Sequence, residues 1–144
     1  MPLVYNTFEQ IPPDGGKEDF IMSEVLLRKD VPAQAKWQTS HVYASQEDWE
    51  KDFQWIQEKS RELASYAGTL KNGKDTVLSL LKTYAEANEH LSRLYTYASC
   101  NLNVDNGDSF NQGVMARAQS LYAQYSAAVA FISPELLKLP KATL

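Results

Sequence analysis

The sequence predicts an all-α antiparallel bundle. Apolar residues recur every third or fourth position over three long runs, and short glycine-, asparagine- and serine-containing breaks separate those runs. No segment shows sustained two-residue alternation with β-branched content, so nothing argues for a sheet. The expected helices cover about residues 46–67, 75–102 and 109–132, behind a less regular N-terminal segment.

Residues 1–44 read as an irregular lead-in punctuated by IPPDGG and Pro32, in which KEDFIMSEVLLRK can supply one short amphipathic helix. The bundle proper is expected over residues 45–144. Ser45-Gln-Glu-Asp48 approximates a capping box: the serine oxygen satisfies a free backbone N–H while acidic side chains favour the positive helix end. Trp49, Phe53, Ile56, Leu63 and Ala67 then mark the inner face of the first helix, and Gly68 with Asn72-Gly73 supplies its stop.

The second helix carries Val77, Leu81, Tyr84, Asn88, Leu91, Tyr95, Ala98 and Leu102 at alternating steps of four and three, a seven-residue repeat. Asn88 within that seam is expected to fix register at a cost in stability. In the third helix Val114, Ala118, Leu121, Tyr125, Ala128 and Ile132 repeat the alternation, so it folds back on the second. Ser133-Pro134-Glu135 places serine at an N-cap and proline at the first helical position, so PELLKL opens a last short helix that Pro140 breaks.

The break between the second and third helices, LNVDNGD, is rich in oxygen ligands. As a calcium loop it would use Asn101, Asn103 and Asp105, but it then offers Asn106 where a glycine belongs and Gln112 where a bidentate glutamate belongs. It reads as a turn in which Asn-Gly tolerates positive φ.

Composition narrows the function. At 144 residues with 44 % hydrophobic content the chain makes one domain. Fourteen Lys and Arg against eighteen Asp and Glu leave a net charge of −4 without a basic cluster, which argues against a nucleic-acid partner. No apolar run approaches the roughly 20 residues needed to span a bilayer, and no signal-peptide pattern opens the chain, so a cytoplasmic location without a membrane partner is expected. The single Cys100 fits a reducing compartment and a packing role.

Chemistry-bearing motifs are sparse. His41 and His90 are far apart, and Glu86-x-x-x-His90 stands one helical turn apart without a second copy, so a four-helix metal protein would need at least two more ligands. No P-loop, dinucleotide fingerprint or partnered nucleophile is present. No catalytic, cofactor-binding or metal-ligating residue is therefore assigned. Of the clustered tyrosines, Tyr84, Tyr95 and Tyr125 fall in the seams, which leaves Tyr97 and Tyr122 as outward rings able to face a peptide.

The runs KWQTSHVYASQEDWEKDF and LSRLYTYASCNLNVDNGDSFNQGVMARAQSLYAQYSAAVAFISPELL, with Trp49 and Phe53, Leu94-Tyr-Thr-Tyr-Ala-Ser99, Ala116-Arg117-Ala118 and Ile132-Ser-Pro-Glu-Leu136, resemble the N-terminal region of oligoendopeptidase F, a zinc metallopeptidase of the thimet-oligopeptidase-like group. The resemblance covers roughly residues 28–144. It implies the N-terminal helical lobe of a larger peptidase that cleaves short peptides in a deep channel. Zinc is implied for the full-length parent alone, since the His-Glu-x-x-His motif that would hold it is missing from this chain. The implied partners are the remainder of the peptidase, with its catalytic lobe, and short peptides. The competing expectation is a free-standing helical interaction module, and an exposed apolar surface would also permit a homodimer.

Overall fold

The computed structural model describes residues 30–35 and 37–140, so the KEDFIMSEVLLRK helix and most of the 1–44 lead-in lie outside the described residues. Four helices follow one another: α1 (Gln46–Ala64), α2 (Lys74–Val104), α3 (Ser109–Val129) and the short α4 (Ile132–Leu136). Short 3-10 turns at Ala33–Ala35, Thr39–His41 and Leu70–Asn72 fill the connections, and no strand occurs among the described residues. The first three helices each pack against the other two, giving a three-helix antiparallel bundle.

α1 begins where the capping box places it. Ser45 is extended (φ −145°, ψ 164°), its hydroxyl oxygen accepts the Asp48 N–H at 3.2 Å, and its hydroxyl lies 3.0 Å from the Asp48 carboxylate. The helix ends three residues before the expected position 67. Tyr66 and Ala67 bond back to Leu63 and Ala64 in a three-residue pattern, Gly68 takes φ 78°, and Ala67 is exposed instead of joining the core. Leu70, fully buried, closes the bundle over this turn. Gly73 (φ 132°, ψ 175°) then swings the chain into α2 through a conformation that side-chain-bearing residues rarely adopt.

The core is built from Trp49, Ile56 and Leu63 of α1, Leu80, Ala87, Leu91, Leu94 and Ala98 of α2, and Val114, Ala118, Leu121 and Tyr125 of α3. This corrects the α2 seam. Val77, Leu91 and Ala98 of the heptad are buried, whereas Leu81 is exposed and Tyr84, Asn88, Tyr95 and Leu102 are only half-buried. The physical reason is that α2 meets two helices at once, so its buried stripe is wider than a two-helix seam and centres between them, on Leu80, Ala87, Leu91 and Leu94. Asn88 does not bond across the bundle; its amide donates to the Tyr84 carbonyl one turn earlier at 2.9 Å.

The LNVDNGD turn also departs from expectation in its mechanism. Gly68 and Gly73 are the only described residues with positive φ, so Asn106-Gly107 turns without a left-handed residue. Side chains make the turn instead: Asp105 accepts the Gly107 N–H at 3.1 Å, and Asp108 caps α3 by accepting the Phe110 N–H at 2.8 Å. At the other end α4 starts at Ile132 with Phe131 as its N-cap, not Ser133. Ala130 and Phe131 keep helical dihedrals, so the chain never opens into the extended geometry a serine cap needs. Pro134 then falls within the first turn, where its missing N–H costs no bond.

Candidate functional site

Three places on the bundle gather polar or aromatic groups. The first lies where the lead-in crosses α1 and α2. The Tyr43 ring is buried, and its hydroxyl donates to Oδ2 of Asp52, while Oδ1 of the same carboxylate receives His90 Nδ1. A carboxylate only accepts, so the His90 hydrogen sits on Nδ1. Trp55 lies against the His90 ring with centroids 4.3 Å apart, Lys59 stands over Trp55, and the Arg93 guanidinium covers the Tyr43 ring at 5.4 Å. Burial, reinforced by the hydrogen bond to Asp52, pushes the Tyr43 phenol well above its ordinary range and keeps it a donor.

The sequence pairing of Glu86 with His90 is thus replaced by Asp52 with His90, from a different helix and 38 positions away. No local signal marks that pair; it becomes visible only once α1 and α2 lie side by side. Tyr43, Asp52 and His90 satisfy one another, and no group of three or more His, Cys, Asp or Glu able to hold a metal occurs among the described residues. Zinc therefore does not fit this cluster. It fastens the lead-in to the bundle, helped by Thr39, whose hydroxyl donates to Asn101 at 3.1 Å.

The second place is the groove between α2 and α3 on the side away from α1, lined by Asn88, Leu91, Ser92, Tyr95, Thr96 and Tyr122. Tyr84 stacks on Tyr125 at 6.3 Å and Tyr95 meets Tyr122 at 6.0 Å, so aromatic pairs bridge the two helices along it. Burial raises the Tyr125 phenol above its usual range, and its hydroxyl lies 3.4 Å from the Tyr84 carbonyl. The two tyrosines expected to face outward differ: Tyr122 is exposed and opens onto this groove, whereas Tyr97 is half-buried edge-on against Tyr43 on the lead-in side. His41 is exposed on its 3-10 turn and Cys100 is a half-buried free thiol.

A third cluster is structural. Arg117 of α3 makes a two-pronged pair with Glu50 of α1, with Nη2 to Oε2 at 2.6 Å, and its plane covers Trp49 at 5.0 Å and Phe53 at 4.6 Å. The hydrogen bonds from Arg117 hold the Glu50 carboxyl below the usual range.

Side-chain bonds from Trp49 to the Leu94 carbonyl, between His90 and Asp52, and from Arg117 to Glu50 join the three long helices, and the relatives of this helical bundle are peptidases. The chain matches oligopeptidase PepF of Bacillus subtilis (strain 168) with 36 % identity over 112 residues, 78 % of this chain and 17 % of that protein. It matches the chromosomal oligoendopeptidase F of Lactococcus lactis subsp. cremoris with 25 % identity over 115 residues, 79 % of this chain and 19 % of the relative. Group B oligopeptidase PepB of Streptococcus agalactiae serotype III (strain NEM316) matches with 26 % identity over 112 residues, covering 78 % of this chain and 19 % of the relative. The chain is thus homologous to oligopeptidase PepF and oligoendopeptidase F, and it spans less than a fifth of the length of these relatives. No family model matches the chain, and no solved structure matches it significantly.

Proposed function

We propose that this chain is the non-catalytic, N-terminal helical lobe of a cytoplasmic zinc metalloendopeptidase that cleaves short peptides, and that it contributes part of the wall of the substrate channel. The observation that carries this reading is the 36 % match to an oligopeptidase over 78 % of the chain. The chain supplies none of the chemistry: His41 is followed by Val42 and His90 by Leu91, so neither opens a His-Glu-x-x-His motif. Its polar groups instead hold three helices in fixed relation, which is what a channel wall requires. Tyr97 and Tyr122 remain the candidate peptide-facing rings; Tyr97 lies on α2 against Tyr43 of the lead-in, and Tyr122 lies on α3 against Tyr95.

The test replaces the matched segment of Bacillus subtilis oligopeptidase PepF with the corresponding residues of this chain and follows cleavage of a quenched peptide and zinc content. The chimera is expected to cleave and to hold zinc, and the 144-residue chain alone to do neither. Zinc-dependent cleavage by the isolated chain, or an inactive chimera, overturns the reading.

The second reading is a free-standing helical module for protein or peptide interaction, favoured by the open tyrosine-lined groove between α2 and α3. It predicts an inactive chimera together with saturable peptide binding by the isolated chain.

A further inference from the structure

Charge is distributed unevenly over the three faces of the bundle. α1 carries nine Asp, Glu, Lys and Arg side chains in 19 residues, whereas α3 carries one in 21, Arg117, and that one is taken by Glu50. The side of α2 next to α3 continues the neutral surface. Leu78, Leu81, Ala85, Asn88, Ser92 and Tyr95 follow one another at steps of three, four, three, four and three, so at 100° per residue they form one stripe along the helix. Of the charged residues of α2, Lys74 stands one turn before Leu78 at the N-terminal end of the stripe, whereas Asp75, Lys82, Glu86, Glu89 and Arg93 fall outside it. Across the groove, α3 presents Gln119, Tyr122 and Ser126, also uncharged and exposed.

This neutral face holds three of the bundle's large exposed apolar side chains: Leu78 at 52 %, Leu81 at 40 % and Tyr122 at 54 %. A solvated helix face normally carries charge, as α1 does; a long uncharged stripe with leucines on it is the pattern of a helix packing on both sides. The heptad read from the sequence runs along this same edge. Its outer members have no helix opposite them within the described bundle.

Resting on the peptidase reading above, we infer that the α2–α3 face is the surface on which the remainder of the peptidase docks, through a helix presenting an uncharged, apolar stripe to the groove. The length of the relatives argues for this occupant. More than four-fifths of each lies beyond the matched segment, and a lobe must give up some face to a body that size. The charged face of α1 is the one left to solvent. Tyr122 then becomes a packing residue, and the Tyr97 side is the one available to the channel.

The test uses the 144-residue chain and the PepF chimera side by side. With Cys100→Ser removing the native thiol, a cysteine introduced by Ser92→Cys is expected to react freely with maleimide in the isolated chain and about tenfold or more slower in the chimera. Leu81→Glu with Ser92→Glu is expected to leave the isolated chain folded with unchanged helix content, yet to cost the chimera about tenfold or more in activity and lower its melting temperature. Gln54→Glu with Glu58→Gln on the exposed side of α1 serves as the control and is expected to leave both unchanged.

Equal labelling in both settings, or a fully active Glu double variant, overturns the inference while the peptidase reading stands. Protection of Ser92→Cys in an isolated chain that is dimeric, with Leu81→Glu returning it to monomer, assigns the face to a second copy and overturns it. Protection in the chimera that appears only on adding peptide assigns the groove to substrate and does the same. An inactive parent chimera defeats the peptidase reading, and the inference with it.

Discussion

Trp49 and Leu94 are joined through the middle of the bundle: the indole N–H donates to the Leu94 carbonyl at 3.2 Å, with both residues fully buried. The acceptor sits well inside α2, on a carbonyl already placed to receive its own i+4 amide, so the bond ties α1 to one level of α2. Trp49→Phe removes the donor and leaves part of the bicyclic ring's volume empty. A loss of about 2–3 kcal/mol is expected in urea unfolding, as a lower midpoint at unchanged slope. An unaltered midpoint would show that this bond contributes nothing.

Tyr43 and His90 meet on the two oxygens of one carboxylate, so their contributions should not be independent. Tyr43→Phe alone is expected to cost about 1 kcal/mol, because the ring stays and only the hydroxyl is lost. In a double-mutant cycle with His90→Phe the two are expected to couple by about 0.5–2 kcal/mol. Strict additivity would separate the lead-in from the α1–α2 pair energetically.

Glu50 and Arg117 set a pH dependence whose sign follows from the lowered Glu50 carboxyl. A depressed folded-state value means that the stabilisation is present above the unfolded carboxyl's ordinary pKa of about 4.3 and is lost as pH falls through the lower folded value. Both side chains are more than a third exposed or close to it, so solvent screening limits the pair to at most about 1 kcal/mol. The stability gap between wild type and Glu50→Gln should therefore be visible at pH 7, narrow below pH about 4 and shrink with added salt. A gap that widens on acidification contradicts the assignment.

Gly73 and Gly68 both occupy positive φ with no heavy atom within 4 Å of an added Cβ, so an alanine meets backbone strain and no steric clash. The two sites should differ in degree. Gly73→Ala, at φ 132° and ψ 175°, enters a region almost reserved for glycine and is expected to cost about 1–3 kcal/mol. Gly68→Ala, at φ 78°, should cost about 1 kcal/mol. Thermal melts of the two variants check the order; equal melting temperatures would refute it.

Much of the bundle was legible in the sequence because its signals are local. Ser45 with Asp48, Gly73, and the third- and fourth-residue recurrences of Trp49, Leu91 and Leu121 each act within a turn or two of helix, and the helices form where those signals stand. The α2 stripe was misplaced towards Leu81 and Tyr95, because period alone cannot tell a helix with one neighbour from a helix with two. Asp52 with His90, and Arg117 with Glu50, were invisible for a different reason: each joins residues on separate helices and depends on how α1 turns against its neighbours. Ser133-Pro134 carried a good N-cap pattern that the fold overrode by keeping Ala130 and Phe131 helical.

α2, at 31 residues, runs about 46 Å, while α1 with 19 and α3 with 21 reach about 28 Å and 31 Å. One helix cannot be matched along its whole length by such neighbours. The Thr39 bond to Asn101 and the Arg93 contact at the Val42 carbonyl show the lead-in lying against the C-terminal part of α2. Local unfolding should follow that division. The amides of the final turns of α2 exchange their hydrogens with solvent in a small opening that releases the lead-in, while the stretch around Ala87 and Leu91 exchanges only when the whole domain unfolds.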